Sequence, residues 1–194
     1  MRDRSPKYHF DPFSNDIRDR LVNAFERRNL EGLPPTDLSA ACGVYAIYYN
    51  GTCSFYENLS ADKPIYVGKA VAPGGRKGGG DLELATGNLI VKRLREHSKS
   101  IATTKNLRLS DFQCRWLTVN PHFANAAEAM LIDFYKPVWN VVVTGFGIHD
   151  PGAGRYSQAR SDWDVLHPGR GFALKCAEGN SPAAILKRLK ANLK

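Results

Sequence analysis

The fold is decided by the stretch Gly43-Val44-Tyr45-Ala46-Ile47-Tyr48-Tyr49. Aromatic and β-branched residues dominate it, and such side chains fit the pleated, half-buried surface of a strand. The turn pair Asn50-Gly51 follows directly and ends the run. The sequence therefore predicts a strand over residues 43–49, around which the other elements can be placed.

Two further strands are predicted on its carboxyl-terminal side. Residues 64–68 have the composition of a strand, which we expect to pair antiparallel with the first across a long connection. Residues 112–119 are also strand-like. Because the first two strands carry Tyr45 and Tyr66, we expect these two tyrosines to lie on neighbouring strands.

Helical periodicity positions further polar side chains near the strands. Residues 88–98 predict a helix that places Arg93 and His97 on one face, with its first residue as the cap. Another helix is predicted to begin with Asn125 as its cap and to carry Glu128 on its inward, apolar face. Amphipathic outer helices are predicted over residues 14–29, capped by Ser14, and from Ser181-Pro182 onward.

The chain carries an excess of positive charge, because 27 Lys and Arg against 19 Asp and Glu give a formal net charge of +8 at pH 7. Such an excess attracts polyanions and favours a nucleic acid partner. No apolar run is long enough to cross a membrane, and the first residues lack a secretory signal, so we expect a soluble cytoplasmic protein. The four cysteines lie far apart and predict neither a zinc site nor a disulfide framework.

The predicted elements allow a set of polar side chains to converge on one site. Hydrolysis of a phosphodiester needs an activated water, positive charge near the transition state and help for the leaving oxygen. Tyrosine, arginine and carboxylate groups can divide these roles. The side chains that two strands and two helices would bring together are Tyr45, Tyr66, Arg93, His97 and Glu128.

The order and type of these residues resemble the GIY-YIG nucleases over about residues 43–140. The resemblance is carried by Gly43-Val44-Tyr45, Tyr66-Val67-Gly68-Lys69, Arg93 with His97, Glu128, and Pro137-Val138-Trp139-Asn140. It implies an α+β fold with a small three-stranded antiparallel sheet flanked by helices. It also implies one divalent metal ion and cleavage that leaves a 5′-phosphate and a 3′-hydroxyl.

The resemblance implies a role for each basic and phenolic residue. Tyr45 would contact the nucleophilic water as its base, and Tyr66 would orient the phosphate or share that proton network. Free tyrosine titrates near ~10, so a base role requires cationic charge that lowers its pKa. Arg93, together with Lys69, would supply this charge and stabilise the transition state.

The resemblance also implies a metal ligand and two supporting residues. Glu128 would hold Mg²⁺, a hard cation that prefers oxygen ligands, with Mn²⁺ as a possible substitute. His97 would assist proton movement, and Asn140 would brace the site through hydrogen bonds.

Each of these residues has an ordinary structural alternative. The two tyrosines suit the interior of a sheet, and Glu128 stands three positions after Asn125, which is the spacing of a capping box. Arg93 and His97 suit a solvated helix face, and Asn140 suits a turn. The functional interpretation is favoured because all of them occur together in the order of the family.

The turn-rich segment that follows resembles the type II restriction endonucleases of this family, in particular the branch that cuts CCGCGG. Arginine is the natural partner of guanine in the major groove. The candidates for contact with DNA are Arg155, Gln158, Arg160 and Arg170, with Arg76 and Lys77 in the glycine-rich loop at 73–80. Phosphate contact or plain solvation is an equally good explanation for each, and His149 and His167 suit turns and packing better than ligand binding.

The resemblance suggests three parts in one compact unit: an N-terminal helical extension (1–40), a catalytic core with inserted loops (41–145), and a DNA-contacting segment with a closing helix (146–194). Cutting both strands of a palindrome in double-stranded DNA implies a two-fold homodimer. A cognate DNA methyltransferase would be a functional partner, and no membrane is involved. The alternatives are a repair or homing nickase of the same family, a DNA-binding protein without cleavage, or a basic protein associated with RNA or a membrane.

Overall fold

The computed structural model describes residues 15–36, 42–71, 87–148, 150 and 152–193. Six helices and four strands follow one another in these ranges, which confirms the predicted α+β class. In chain order they are α1 (Asn15–Glu26), β1 (Glu31–Gly32), β2 (Gly43–Tyr49), β3 (Tyr66–Ala70), α2 (Leu89–Ala102), β4 (Phe112–Thr118), α3 (Ala124–Tyr135), α4 (Val138–Val141), α5 (Asp162–Leu166) and α6 (Pro182–Asn192).

The strands form one antiparallel sheet in the order β1-β4-β2-β3. The three predicted strands are confirmed, and β1 adds two residues beside β4. The first two predicted strands pair across their long connection, with Tyr45 opposite Gly68 and Ile47 opposite Tyr66. Strand β2 is central and buried along its whole length, so its side chains reach both faces of the sheet.

The two faces of the sheet support separate apolar clusters. Val44, Ala46 and Tyr48 point to one face and pack with residues of α1 and α3. Tyr45, Ile47 and Tyr49 point to the opposite face and pack with α2 and with the apolar residues of α4, α5 and α6. Side chains alternate between the two faces along β2. One face is therefore covered by α1 and α3, and the larger layer on the other face contains Tyr45.

The helix starts differ in part from the sequence prediction. Helix α3 begins at Ala124, so Asn125 lies inside the helix and its prediction as a cap is wrong. Asn88 does precede α2, but its side chain makes no capping hydrogen bond. Helix α6 begins at Pro182, as predicted, and Ser181 caps it, because its hydroxyl accepts a hydrogen bond from the backbone of Ala184 at 3.3 Å. The predicted cap Ser14 lies outside the described residues.

Residues 145–193, here called the C-terminal region, pack against the α2 face of the sheet. Trp163 and Ile185 belong to the same apolar cluster as Tyr45. Arg188 of α6 donates to Asp162 of α5 at 2.5 Å and joins the two helices. No helix among the described ranges has the length and apolarity to cross a membrane.

Candidate active site

Tyr45 and Tyr66 lie side by side on the α2 face of the sheet. Their ring centroids are 6.4 Å apart, and Tyr45 is fully buried. Gly68 lies opposite Tyr45 in the register, and an added Cβ there would come within 2.5 Å of the Tyr45 hydroxyl. The glycine of the Tyr66-Val67-Gly68 motif therefore leaves space for the hydroxyl of the tyrosine on the neighbouring strand.

Helix α2 brings Arg93 and His97 to the same place. His97 is 3% exposed because it falls on the helix stripe that also carries Leu94 and Ile101. Its Nε2 and the Tyr45 hydroxyl are hydrogen-bonded at 2.7 Å, with the donor set by the ring tautomer. Arg93 lies close enough for its positive charge to lower the pKa of the Tyr45 hydroxyl. A solvated helix face is therefore excluded for His97, whereas Arg93 is partly buried and 26% exposed.

Two neighbours of this cluster have no counterpart in the sequence prediction. The ring of Phe146 stacks on His97 with centroids 4.5 Å apart and an interplanar angle of 21°. Glu96 accepts a hydrogen bond from Arg93 at 2.8 Å. The i,i+3 spacing from Arg93 was an available signal for Glu96. For Phe146 the only signal was its position between Gly145 and Gly147.

Glu128 of α3 forms an ion pair with Lys69 of β3. The pair is partly buried, with Lys69 32% and Glu128 20% exposed. Glu128 is not a capping-box residue, because α3 begins at Ala124 and its N-cap position is Phe123. The negative charge of Glu128 also raises the pKa of both tyrosines, which places it within electrostatic reach of the cluster.

The residues near Glu128 fit a divalent cation held mainly by water and substrate. In the part of the chain that the structure describes, no three or more His, Cys, Asp and Glu side chains are grouped so that they could hold a metal ion. Mg²⁺ keeps several of its waters and is usually bound by one or two carboxylates together with phosphate oxygens. A single carboxylate beside the open side of the cluster suits this mode and does not suit zinc.

Both tyrosines are held in the neutral form. Burial is the largest cause, and it raises the pKa of Tyr66 to about 12. Burial also raises the pKa of Tyr45, with a contribution from Tyr66, and the opposing effect of Arg93 is smaller. The charge of Arg93 therefore acts in the expected direction, but burial outweighs it and the net pKa of Tyr45 is raised. Near neutral pH both groups act as hydroxyls rather than as phenolates.

An open cleft of about 270 Å³ reaches Arg93 from solvent. Its polar lining consists of Lys69, Lys92, Arg93 and Glu96, and apolar residues complete it. Three of these four side chains are basic. A phosphate group that enters the cleft would therefore meet positive charge before it meets Arg93.

Asn140 supports β3 from outside the sheet. Its Oδ1 accepts a hydrogen bond from the backbone N–H of Val67 at 2.8 Å, and its Nδ2 donates to the Val67 carbonyl at 2.9 Å. This two-point contact fixes the strand directly after Tyr66. The side chain thus contacts the backbone beside the tyrosine and does not hydrogen-bond any catalytic side chain.

The candidates for DNA contact fall into different environments. Arg155 and Gln158 are exposed, and Arg160 is half-buried with its Nε bonded to the Ala173 carbonyl at 2.9 Å. Arg170 is buried and hydrogen-bonded throughout to groups of the fold, so its prediction as a DNA contact is wrong. Arg76 and Lys77 lie outside the described residues.

His167 is a packing residue, whereas His149 lies outside the described residues. The Tyr56 hydroxyl and Nε2 of His167 are 2.5 Å apart, and Nδ1 of His167 lies 3.1 Å from the Asn106 side-chain oxygen. Because that oxygen only accepts, Nδ1 carries the proton and Nε2 accepts from Tyr56. Burial lowers the pKa of His167 to about 3, so the ring is neutral.

Comparison with known proteins agrees with this geometry. Residues 37–193 match the family model described as the Eco29kI GIY-YIG domain. A comparison with curated proteins found no match. The matched range covers most of the chain and includes both tyrosines, Arg93, His97 and Glu128. The chain therefore belongs to the Eco29kI family, the restriction endonuclease branch of the GIY-YIG nucleases.

Proposed function

We propose that this protein is a Mg²⁺-dependent type II restriction endonuclease that cuts double-stranded DNA at a short, G/C-rich palindrome. The resemblance to the branch that cuts CCGCGG favours that sequence. The observation that carries the proposal is the hydrogen bond between Tyr45 and His97, which lies within electrostatic reach of Arg93 in a cleft whose polar lining is mainly basic.

The cluster can move a proton between water and histidine. In the proposed reaction a water attacks phosphorus, the bond from phosphorus to the 3′ oxygen breaks, and that oxygen takes a proton from a solvent water to leave as a hydroxyl. The Tyr45 hydroxyl accepts the proton of the water while it donates its own to His97, so the tyrosine never carries a full negative charge. This route agrees with the raised pKa of Tyr45.

Arg93 and Glu128 act through their charges and do not transfer protons in this scheme. Arg93 stabilises the charge that develops on the phosphate oxygens, which is a preorganised electrostatic role. Glu128 would hold the metal ion, which supplies positive charge beside the same phosphate when bound. Lys69, now paired with Glu128, would contact a phosphate of the DNA if the carboxylate of Glu128 held the metal ion.

We assign recognition of the palindrome to the C-terminal region, with two copies of the chain acting together. Exposed Arg155 and Gln158, with the half-buried Arg160, are the described side chains proposed for contact with bases or phosphates. Each protomer would serve one half-site of the two-fold DNA. The division into an extension at 1–40, a core at 41–145 and a DNA-contacting part at 146–194 follows from this assignment.

Cleavage of a plasmid in the presence of Mg²⁺ tests the proposal. Wild type should give discrete double-strand fragments, and sequencing of their ends should give the recognition site. Glu128→Ala and Arg93→Ala should give none. Asp133→Ala and Lys99→Ala serve as matched controls, because these exposed residues lie on the same two helices.

The other outcomes identify the alternatives. Nicked circles from wild type would indicate a repair or homing enzyme. Plasmid that is retarded in a gel but remains intact would indicate a DNA-binding protein without cleavage and would contradict the catalytic assignment. Discrete fragments at a site other than CCGCGG would keep the function and overturn only the proposed sequence.

A further inference from the structure

Residues 145–148, here called the Phe146 loop, touch two residues of the active site. The ring of Phe146 stacks on His97 and meets the ring of Tyr66 edge-on, with centroids 4.9 Å apart. At Gly147 an added Cβ would lie 2.5 Å from the Tyr66 hydroxyl. The loop therefore limits the positions that both rings can adopt.

On its other side the Phe146 loop is held by Arg170. The guanidinium donates to the carbonyls of Gly145 at 2.9 Å, Phe146 at 3.0 Å and Ile148 at 2.8 Å. It also lies over the ring of Trp163 at 4.6 Å. Three of the four carbonyls of the loop are thus bonded to a single side chain.

Arg170 is itself fixed by Asp164 of α5. Its Nε and one terminal nitrogen each donate to a carboxylate oxygen of Asp164 at 2.7 Å. The side chains are only 5% and 3% exposed. A buried charge cannot leave such a partner without a large desolvation cost. The five donors of arginine in one plane satisfy the carboxylate and the three carbonyls together, which a lysine with three donors cannot do.

We propose that Arg170 is a positioning residue for DNA cleavage, because it holds the Phe146 loop against His97 and Tyr66. The proposal rests on the proposed function, since it concerns the same site. His97 must keep its 2.7 Å hydrogen bond to Tyr45, and the Phe146 ring stacked on its imidazole restrains the orientation of that ring. A misplacement of about 1 Å at a catalytic group can cost roughly a hundredfold in rate.

The test compares Arg170→Lys with Arg188→Lys. Arg188 also pairs with an aspartate of α5 but does not contact the loop. The expected result for Arg170→Lys is a fall in kcat of about tenfold to a hundredfold with KM for DNA nearly unchanged. In ¹H–¹³C NMR spectra, the His97 ring protons should shift downfield as the stacked Phe146 ring moves away. Arg188→Lys should change neither reading.

Several outcomes would overturn the proposal. One is a folded Arg170→Lys protein with the wild-type kcat and the wild-type His97 signal. Another is an unchanged kcat with weakened DNA binding, which would make Arg170 a DNA contact. If wild type does not cut DNA, the proposed function fails, and the His97 signal still shows whether Arg170 positions that ring.

Loop variants keep the proposal testable if Arg170→Lys does not fold. Gly147→Ala displaces the Tyr66 hydroxyl, and Phe146→Leu removes the stacked ring from His97, while both leave Arg170 and Asp164 in place. Each should lower kcat by about tenfold or more without weakening DNA binding. Full kcat in both variants would show that the loop does not position the site.

Discussion

Arg93, which lies between the sheet and its cleft, and Arg170, in the C-terminal region, carry the same guanidinium group in different surroundings. Arg93 is 26% exposed, lines the cleft, and donates a hydrogen bond to Glu96. Arg170 is 5% exposed, and its donors meet Asp164 and three backbone carbonyls. An arginine whose donors all bond to acceptors of the fold stabilises the structure, whereas an arginine that lines a cleft can also contact a substrate.

The largest expected difference between the two arginines is in stability. Arg170→Met leaves the carboxylate of Asp164 buried without its partner and should lower the free energy of unfolding by about 3–5 kcal/mol. Arg93→Met removes a partly exposed pair with Glu96 and should cost less than about 1 kcal/mol. Urea denaturation of both variants measures the difference. Equal losses would contradict the contrast between the two sites.

The second prediction concerns activity and reverses the order of the two regions. Arg93→Met should lower kcat by about 10²–10³-fold while the protein stays folded, because a preorganised charge near the phosphate is lost. Single-turnover cleavage of a DNA duplex measures the effect, and Lys99→Met on the same helix is the control. An unchanged cleavage rate at saturating DNA would remove Arg93 from the catalytic group.

The histidines extend the comparison to pH. The pKa of His167 lies near 3 in the fold, against about 6.5 in the unfolded chain. Because the pKa of His167 is lower in the folded protein, the fold favours the neutral ring. The contribution of neutral His167 to stability is complete above about pH 6.5 and is lost as the pH falls towards 3. The slope of this loss approaches ~1.4 kcal/mol per pH unit. Unfolding free energies at pH 7, 6, 5 and 4 should decline less steeply in His167→Gln than in the exposed control His122→Gln. If the unfolding free energies of the two variants decline equally with falling pH, His167 does not cause this pH dependence.

The smallest expected effect is at Asn140 of α4, which contacts the edge strand β3. Asn140→Ala removes both hydrogen bonds to Val67 and should lower the free energy of unfolding by about 1 kcal/mol, since water can reach an edge strand and replace part of the loss. Asn192→Ala, at the exposed end of α6, is the control. A loss as large as that of Arg170→Met would show that Asn140 holds more than the strand edge.

The sequence was sufficient where local patterns decide the outcome. A run of aromatic and β-branched residues placed Tyr45 on a strand, and helical spacing placed Arg93 and His97 on one face. The prediction was wrong for Asn125, because helix ends are set by local backbone geometry that many residues satisfy.

The role of Arg170 was beyond the sequence. Arg170 donates to backbone carbonyls at 145–148. Every residue has a backbone carbonyl, so the residue types there do not indicate these hydrogen bonds. The lowered pKa expected for Tyr45 was wrong because burial on a central strand outweighs one neighbouring cation. Both errors concern burial and long-range contacts, which depend on how the C-terminal region packs on the sheet.

The contacts of α4 on β3 also bear on how two copies of the chain can meet. Trp139 donates its backbone N–H to the Ile65 carbonyl at 2.9 Å, and Asn140 occupies both backbone groups of Val67. The outer edge of β3 therefore offers no continuous row of open backbone groups to an incoming strand. If two protomers meet on one palindrome, we therefore do not expect their sheets to join into a single larger one along this edge.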